Sequence, residues 1–182
     1  MKTLALLSLL SLSFPLAAAA ADAPPSPACV LVAGGGRQTP TADADANNHW
    51  NRLNFSFFDA ALTAVGFDKR IEQAFFSVES ADPGKNTDAL LAQAAKAGCD
   101  KLMAVSVFND PSKADDELVF ALRVSPIYRQ PKAASGAAAA SLGPAEYEKE
   151  YRYLANPVTL GKVVPSRIAE QAVLDYQRSV KR

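Results

Sequence analysis

The two cysteines of the chain constrain its fold more than any other feature. Cys29 begins the apolar run 29–33, and Cys99 comes directly before the apolar run 101–108. Both runs have the length and composition of buried β-strands. If these strands are parallel neighbours, about 4.8 Å apart, the cysteines at their N-terminal ends lie close enough for a disulfide. The pattern therefore predicts the bridge Cys29–Cys99, with two buried free thiols as the alternative.

The N-terminus has the features of a secretory signal. Lys2 leads into the apolar run 4–16, which a block of alanines follows. The run is shorter than the roughly 20 residues of a membrane-spanning helix. We therefore interpret residues 1–21 as a signal peptide and residues 22–28 as a linker, with an uncleaved anchor as the alternative. We expect a periplasmic or secreted protein without stable membrane insertion after cleavage, in a compartment where disulfides form.

The length of the remaining chain indicates a single domain, and its composition argues against nucleic-acid and metal binding. Residues 29–182 are enough for a single domain of ordinary size. The 19 basic residues balance the 19 acidic ones and form no cluster, so we expect no nucleic-acid partner. One histidine and two cysteines leave too few ligands for a zinc site, and we predict neither a metal nor a cofactor.

Apolar periodicity predicts alternating strands and helices. Residues 118–125 alternate strictly between inward and outward positions, as a strand with one buried face does. Segment 146–154 fits either a helix or a strand, and its tyrosines favour a strand. The predicted elements are, in chain order, a strand at 29–33, a long loop at 37–49, a helix around 53–65, a strand at 70–78, a helix from Asn86 or Thr87 to Gly98, strands at 101–108, 118–125 and 146–154, and a helix at 166–180.

These elements predict an α/β fold with the order β-α-β-α-β-β-β-α. Two right-handed crossovers make the first three strands parallel in the spatial order 2-1-3. The later strands complete a small mixed sheet, on which the helices pack. Residues 131–143 are rich in alanine and form a predicted flexible loop.

A glycine run and two acidic residues suggest a ligand loop over 34–49. Backbone N–H groups of a glycine-rich turn can hold an anion, although a flexible exit from the strand explains the glycines equally. Two aspartates at alternate positions resemble the start of a calcium loop, but the turn glycine and the bidentate glutamate are missing. The candidate ligand loop comprises Gly34, Gly35, Gly36, Arg37, Asp43 and Asp45.

Tyrosine and arginine residues near the C-terminal strands suggest a protein interface. Both residue types are enriched where proteins bind proteins. Core packing on one face of the sheet is the alternative. The candidate interface comprises Tyr128, Arg129, Tyr147, Tyr151 and Tyr153.

No motif predicts catalysis. His49 is the only histidine, and the sequence pairs it with neither a nucleophile nor an orienting carboxylate. We interpret His49 and Trp50 as a hydrophobic staple at the start of a helix. A hydrolase whose residues meet only in space is the alternative.

The order of elements, together with the helix-to-strand segment NTDALLAQAAKAGCDKLMAVSVFND, resembles a recurring envelope domain. That domain occurs in the N-terminal part of the Tol–Pal translocation protein, in lipoprotein activators of penicillin-binding proteins and in curli-secretion lipoproteins. The resemblance implies a non-enzymatic accessory or adaptor protein of the bacterial cell envelope that docks to other envelope proteins. The lipid-acceptor cysteine of the lipoprotein members is missing. A small-molecule or ion-binding module that uses loop 34–49 is the alternative.

Overall fold

A computed structural model describes residues 28–35, 42–66, 70–77, 82–110, 117–129, 140–154 and 156–180. The predicted signal peptide 1–21, nearly all of the linker 22–28 and residues 131–139 of the alanine-rich loop lie outside these ranges. Those interpretations stay predictions.

The described part contains six strands and four helices. Their order confirms the prediction, with a three-residue strand β5 and a four-residue helix α3 in addition. Segment 146–154 is a strand, as its tyrosines indicated. The elements are β1 (Cys29–Gly35), α1 (Ala44–Val65), β2 (Arg70–Phe76), α2 (Pro83–Ala97), β3 (Lys101–Asp110), β4 (Glu117–Arg129), β5 (Ala140–Leu142), β6 (Tyr147–Leu154), α3 (Pro157–Leu160) and α4 (Pro165–Val180). Among these helices, none has the length and apolarity that a bilayer crossing requires.

The sheet is mixed, and its parallel part has the predicted order. β1 lies between β2 and β3 and runs parallel to both. β4 pairs antiparallel with β3, and both β5 and β6 pair antiparallel with β4. β6 pairs with residues 117–124 of β4, and β5 pairs with residues 127–129. The α/β class and the 2-1-3 arrangement are therefore confirmed.

The helices cover the sheet from both sides. α1 and α4 pack on one face, where Phe57 meets Phe120 edge-on with ring centroids 4.8 Å apart. α2 packs on the other face, where Leu90 and Ala94 join Leu31 of β1 in a second buried cluster. Alternate residues of the central strands thus enter different cores, which explains why the runs in β1 and β3 are apolar almost throughout. The prediction that 118–125 has a single buried face is wrong, because Val119, Ala121 and Ser125 on its other face are also buried.

The predicted disulfide is present. Cys29 and Cys99 are bonded and buried, with their Cα atoms 4.3 Å apart. They join the N-terminal ends of β1 and β3, and the Asp100 amide donates to the Cys29 carbonyl at 3.2 Å beside the bridge.

Several predicted boundaries are wrong: β4, for example, continues to Arg129 rather than ending at 125. Two of the errors concern helix caps. The Asp43 carboxylate accepts hydrogen bonds from the amides of Asp45 and Ala46, so α1 begins at Ala44, inside the predicted loop 37–49. Asp82, rather than Asn86 or Thr87, caps α2, because Pro83 begins the helix directly after it. β1 also continues through the first two glycines of the run, to Gly35.

Candidate functional site

The glycine run does not form the predicted ligand loop within the described residues. Gly34 and Gly35 are strand residues, and Gly34 pairs with Phe75 on one side and Val105 on the other. A Cβ atom at Gly34 would lie 2.6 Å from Cγ of Phe58. Gly34 therefore makes room for a core side chain. The candidate residues Gly36 and Arg37 lie outside the described ranges.

The two aspartates of the predicted loop belong to the start of α1. Asp43 is the N-cap, and Asp45 lies in the first helical turn, where a negative charge opposes the positive end of the helix dipole. Cap hydrogen bonds occupy Oδ1 of Asp43. In the described ranges no group of three or more histidine, cysteine or acidic side chains is arranged to hold a metal ion.

The candidate interface divides into two groups. Tyr147, Tyr151 and Tyr153 of β6 are half-buried against the α1–α4 core, so the core-packing alternative describes them. The ring centroid of Tyr147 lies 5.5 Å from that of Tyr176, and the ring centroid of Tyr153 lies 5.9 Å from that of Phe120.

Tyr128 and Arg129 lie at the C-terminal end of β4 and are exposed. The Tyr128 ring is close to the backbone of Gly143, where an added Cβ would lie 2.6 Å from a ring carbon. The Arg129 guanidinium donates to the Cys99 carbonyl at 2.8 Å, next to the disulfide. Of the five predicted residues only these two are exposed, with Tyr128 at 55%. Because they are neighbours in a strand, their side chains point to opposite faces of the sheet and do not form one patch.

A polar cluster links the edge strand β6 to α4. The Asp175 carboxylate binds the Lys149 ammonium and accepts hydrogen bonds from the Tyr151 hydroxyl at 3.2 Å and the Gln171 amide at 2.7 Å. The bond with Lys149 lowers the pKa of the Asp175 carboxyl, and the same bond raises the pKa of Lys149. Burial is the main cause that raises the pKa of the Tyr151 hydroxyl. These contacts hold β6 against the helix.

The most exposed phenylalanine of the described residues lies on the flank of α1 that faces β2. Phe55 is 52% exposed, although Phe57 and Phe58 beside it are buried. Its ring packs edge-on against Phe75 of β2, with centroids 5.5 Å apart, and its centroid is 6.3 Å from that of Phe58. We call Phe55 and Phe75 the aromatic ridge.

A groove lies on each side of the aromatic ridge. Towards the C-terminal end of α1, a groove of about 540 Å³ runs between α1 and α4. Its lining includes small side chains such as Ala60 and Thr63 and the acidic side chains of Asp59 and Glu170. Towards the N-terminal end of α1, a second groove of about 530 Å³ is lined by Arg52 and both ridge residues. The ridge thus separates an acidic groove from one that contains an arginine.

The ridge was not predicted from the sequence. Helical spacing places Phe57 and Phe58 on the buried face, and Phe55, three positions before Phe58, lies beside that residue at the edge of the buried face. This edge position does not distinguish an exposed ring from a buried one, so the sequence carried no clear signal for the ridge.

The staple interpretation of His49 and Trp50 is wrong. A staple joins the residue before the N-cap to the fourth helical residue, whereas His49 and Trp50 lie in the second turn of α1. The His49 side chain is exposed, and Trp50 packs against the α1–α4 core.

Comparison with solved structures gives distant likenesses. No family model matches the chain, and no curated protein matches it. The chain is similar to the PelC dodecamer from Paraburkholderia phytofirmans, with 14% identity, a TM-score of 0.35 and coverage of 81% of this chain and 82% of that one. A single-residue variant of the same dodecamer gives 12% identity, a TM-score of 0.35 and coverage of 81% and 84%. At this TM-score the likeness carries no weight for function.

Proposed function

We propose that this chain is an exported, non-enzymatic accessory protein of the bacterial cell envelope that acts through protein–protein contacts. The secretory signal pattern supports export, and the disulfide is of the kind that persists in oxidising compartments. The resemblance of the element order to adaptor domains of the envelope supports the accessory role.

The aromatic ridge is the observation that carries the proposal. An exposed aromatic ring that is held in one orientation loses little conformational entropy on binding and buries a large apolar area. Phe75 holds Phe55 in this way, and the grooves on both sides offer concave surface to a partner. The acidic side chains of Asp59 and Glu170 favour a partner helix that presents an apolar residue to the ridge and a basic residue to this acidic pair.

Site-specific photo-crosslinking tests this role. A photo-reactive amino acid replaces Ser56, which lines both grooves, in the full chain in its native cells. We expect one discrete adduct with an envelope protein, identified by mass spectrometry. The adduct should disappear when Phe55→Ala is added. A photo-reactive residue at Lys96, which is exposed on α2, is the control and should give no such adduct.

Two results would contradict the proposal. One is the absence of any adduct from Ser56 under native conditions. The other is an adduct that forms equally from Lys96 or survives Phe55→Ala, since contact would then not depend on the ridge.

The export component is tested separately by mass spectrometry of the mature protein. We expect a chain that begins near Asp22, with Cys29 and Cys99 linked. A full-length chain whose two thiols are free and alkylatable in the cytoplasm would contradict export.

A further inference from the structure

A third cavity lies where β6, α3 and α4 meet, away from the aromatic ridge. Its volume is about 330 Å³, and Tyr153 and Ile168 contribute to its wall. Val158 and Val164 also line it, and their side chains are 68% and 45% exposed. The cavity is therefore a concave apolar surface that is open to solvent, of a size that suits a small ligand.

Two cations share this cavity. Lys162 and Arg167 line it, and no acidic side chain of the described residues does so. Neither cation forms an ion pair with a described carboxylate, whereas Lys101, Lys149 and Arg152 all do. The cavity therefore combines apolar walls with positive charge that the surrounding described residues leave uncompensated.

The start of α4 increases this positive charge. Helix N-termini carry a partial positive charge that acidic residues usually offset. The first turn of α4 has no acidic residue and instead contains Arg167. A local anion would stabilise this arrangement, so the charge complement of the cavity is negative.

We propose that this cavity binds a single-chain anionic amphiphile through its carboxylate and its hydrocarbon chain. The carboxylate lies between Lys162 and Arg167, and the chain lies on Val158 and Val164. Apolar walls without the cations would accept any hydrocarbon, and the cations alone would accept any anion. Their combination in one concave space selects a ligand that carries both groups. The proposal is independent of the aromatic ridge.

Titration of the oxidised protein with decanoate, below its micellar concentration, tests the proposal by two-dimensional NMR and calorimetry. We expect saturable binding, with amide shifts concentrated in residues 153–168. Acetate, which has the carboxylate alone, and decanol, which has the chain alone, should each bind at least about tenfold more weakly. Equal binding of decanol or of acetate would overturn the proposal.

A charge-matched pair of variants tests the role of the cations. Lys162→Gln with Arg167→Gln should weaken decanoate binding by about tenfold or more, because two charge-assisted contacts are lost. Lys85→Gln with Lys96→Gln removes the same charge from exposed positions of α2 and should leave the affinity unchanged. Equal effects of both double variants, or none of either, would overturn the proposal. Adsorption to anionic vesicles without saturable decanoate binding would overturn it in favour of a membrane-surface patch.

Discussion

Phe58 occupies the space that a side chain at position 34 would need. Because Gly34 pairs with strands on both sides, its backbone cannot move away from the ring. Gly35 differs, since the nearest atoms to an added Cβ belong to Phe76 and lie at 3.4 Å, an ordinary contact distance. Packing therefore requires a glycine at position 34, whereas position 35 has room for a larger side chain.

Gly34→Ala should lower the free energy of unfolding by about 1–3 kcal/mol, the usual range for overpacking a core. Gly35→Ala, the matched control, should change it by less than about 1 kcal/mol. Chemical denaturation of both variants measures the difference. A Gly34→Ala protein as stable as the parent would show that Phe58 can move without cost.

Asn54 ties α1 to β3 from inside the core. Its side chain is 1% exposed, donates to the Trp50 carbonyl at 2.9 Å and accepts from the Val107 amide at 2.8 Å. Asn54→Ala leaves the Val107 amide without this partner, so we expect a loss of about 1–3 kcal/mol in the free energy of unfolding. Asn48→Ala, at an exposed position of the same helix, is the control. Equal stability of the two variants would contradict this role.

Neither Asn54 nor Phe55 could be assigned its role from the sequence. Helical periodicity identifies the face of α1 that is buried on average, and it gives no information about individual partners. The partner of Asn54 lies 53 positions away in the chain, and that of Phe55 lies 20 away. Such contacts depend on how α1 is placed on the sheet, which local pattern does not determine.

At the scale of elements, β6 shows how an edge strand is held in place. One face of β6 carries tyrosines and Lys149 towards α4, and the other carries exposed Glu148, Glu150 and Arg152. Arg152 bridges Glu150 and Glu117 on the latter face. Charges along an outer strand discourage pairing with other chains. The alternation explains why the strand interpretation of 146–154 succeeded.

The helix caps were harder to predict than the elements they begin. Several residues near each helix start can cap, and the preceding turn decides which one does. In α2, Pro83 fixes the first helical position, so the N-cap is Asp82 and Asn86 lies inside the helix. A proline directly after an aspartate was the available signal.

The Asp175–Lys149 pair predicts a pH-dependent contribution of α4 to stability. The pKa of Asp175 is lower in the folded protein, so its contribution is present above about pH 4 and is lost as the pH falls through the folded value. Since the Lys149 side chain is 42% exposed, we expect less than about 1 kcal/mol. Urea unfolding at pH 7 and pH 2.5 should show that Asp175→Asn is less stable than the parent at pH 7 and that this difference is smaller at pH 2.5.

Asp88→Asn, at an exposed position on α2, is the control for that experiment. It should leave the pH dependence of the parent unchanged. A stability difference for Asp175→Asn that persists unchanged at pH 2.5 would show that lost packing, rather than lost charge, is responsible.

At the scale of the whole molecule, the disulfide and the sheet order depend on the same geometry. Cys29 and Cys99 lie 70 positions apart in sequence and can bond because β1 and β3 are neighbours. The sequence made this arrangement predictable because both cysteines adjoin apolar runs. The additional elements β5 and α3 are three and four residues long, too short to leave a periodic pattern.

Replacing both cysteines by serine should lower the free energy of unfolding by about 4 kcal/mol, the loop-closure effect for a bridge of this span. Denaturant unfolding of the variant and of the oxidised parent measures the loss, and the parent with a reducing agent is the control. A variant as stable as the oxidised parent would show that the bridge does not constrain the unfolded chain.

The placement of α4 has a consequence for how the protein is made. α1 is complete at residue 65, yet the helix that packs beside it on the sheet begins only at residue 165. A nascent polypeptide therefore carries the apolar flank of its first helix uncovered while about a hundred further residues are synthesised. Closure of the larger core must wait until the last helix has emerged, so the parallel β2-β1-β3 half can assemble well before the protein reaches its final state.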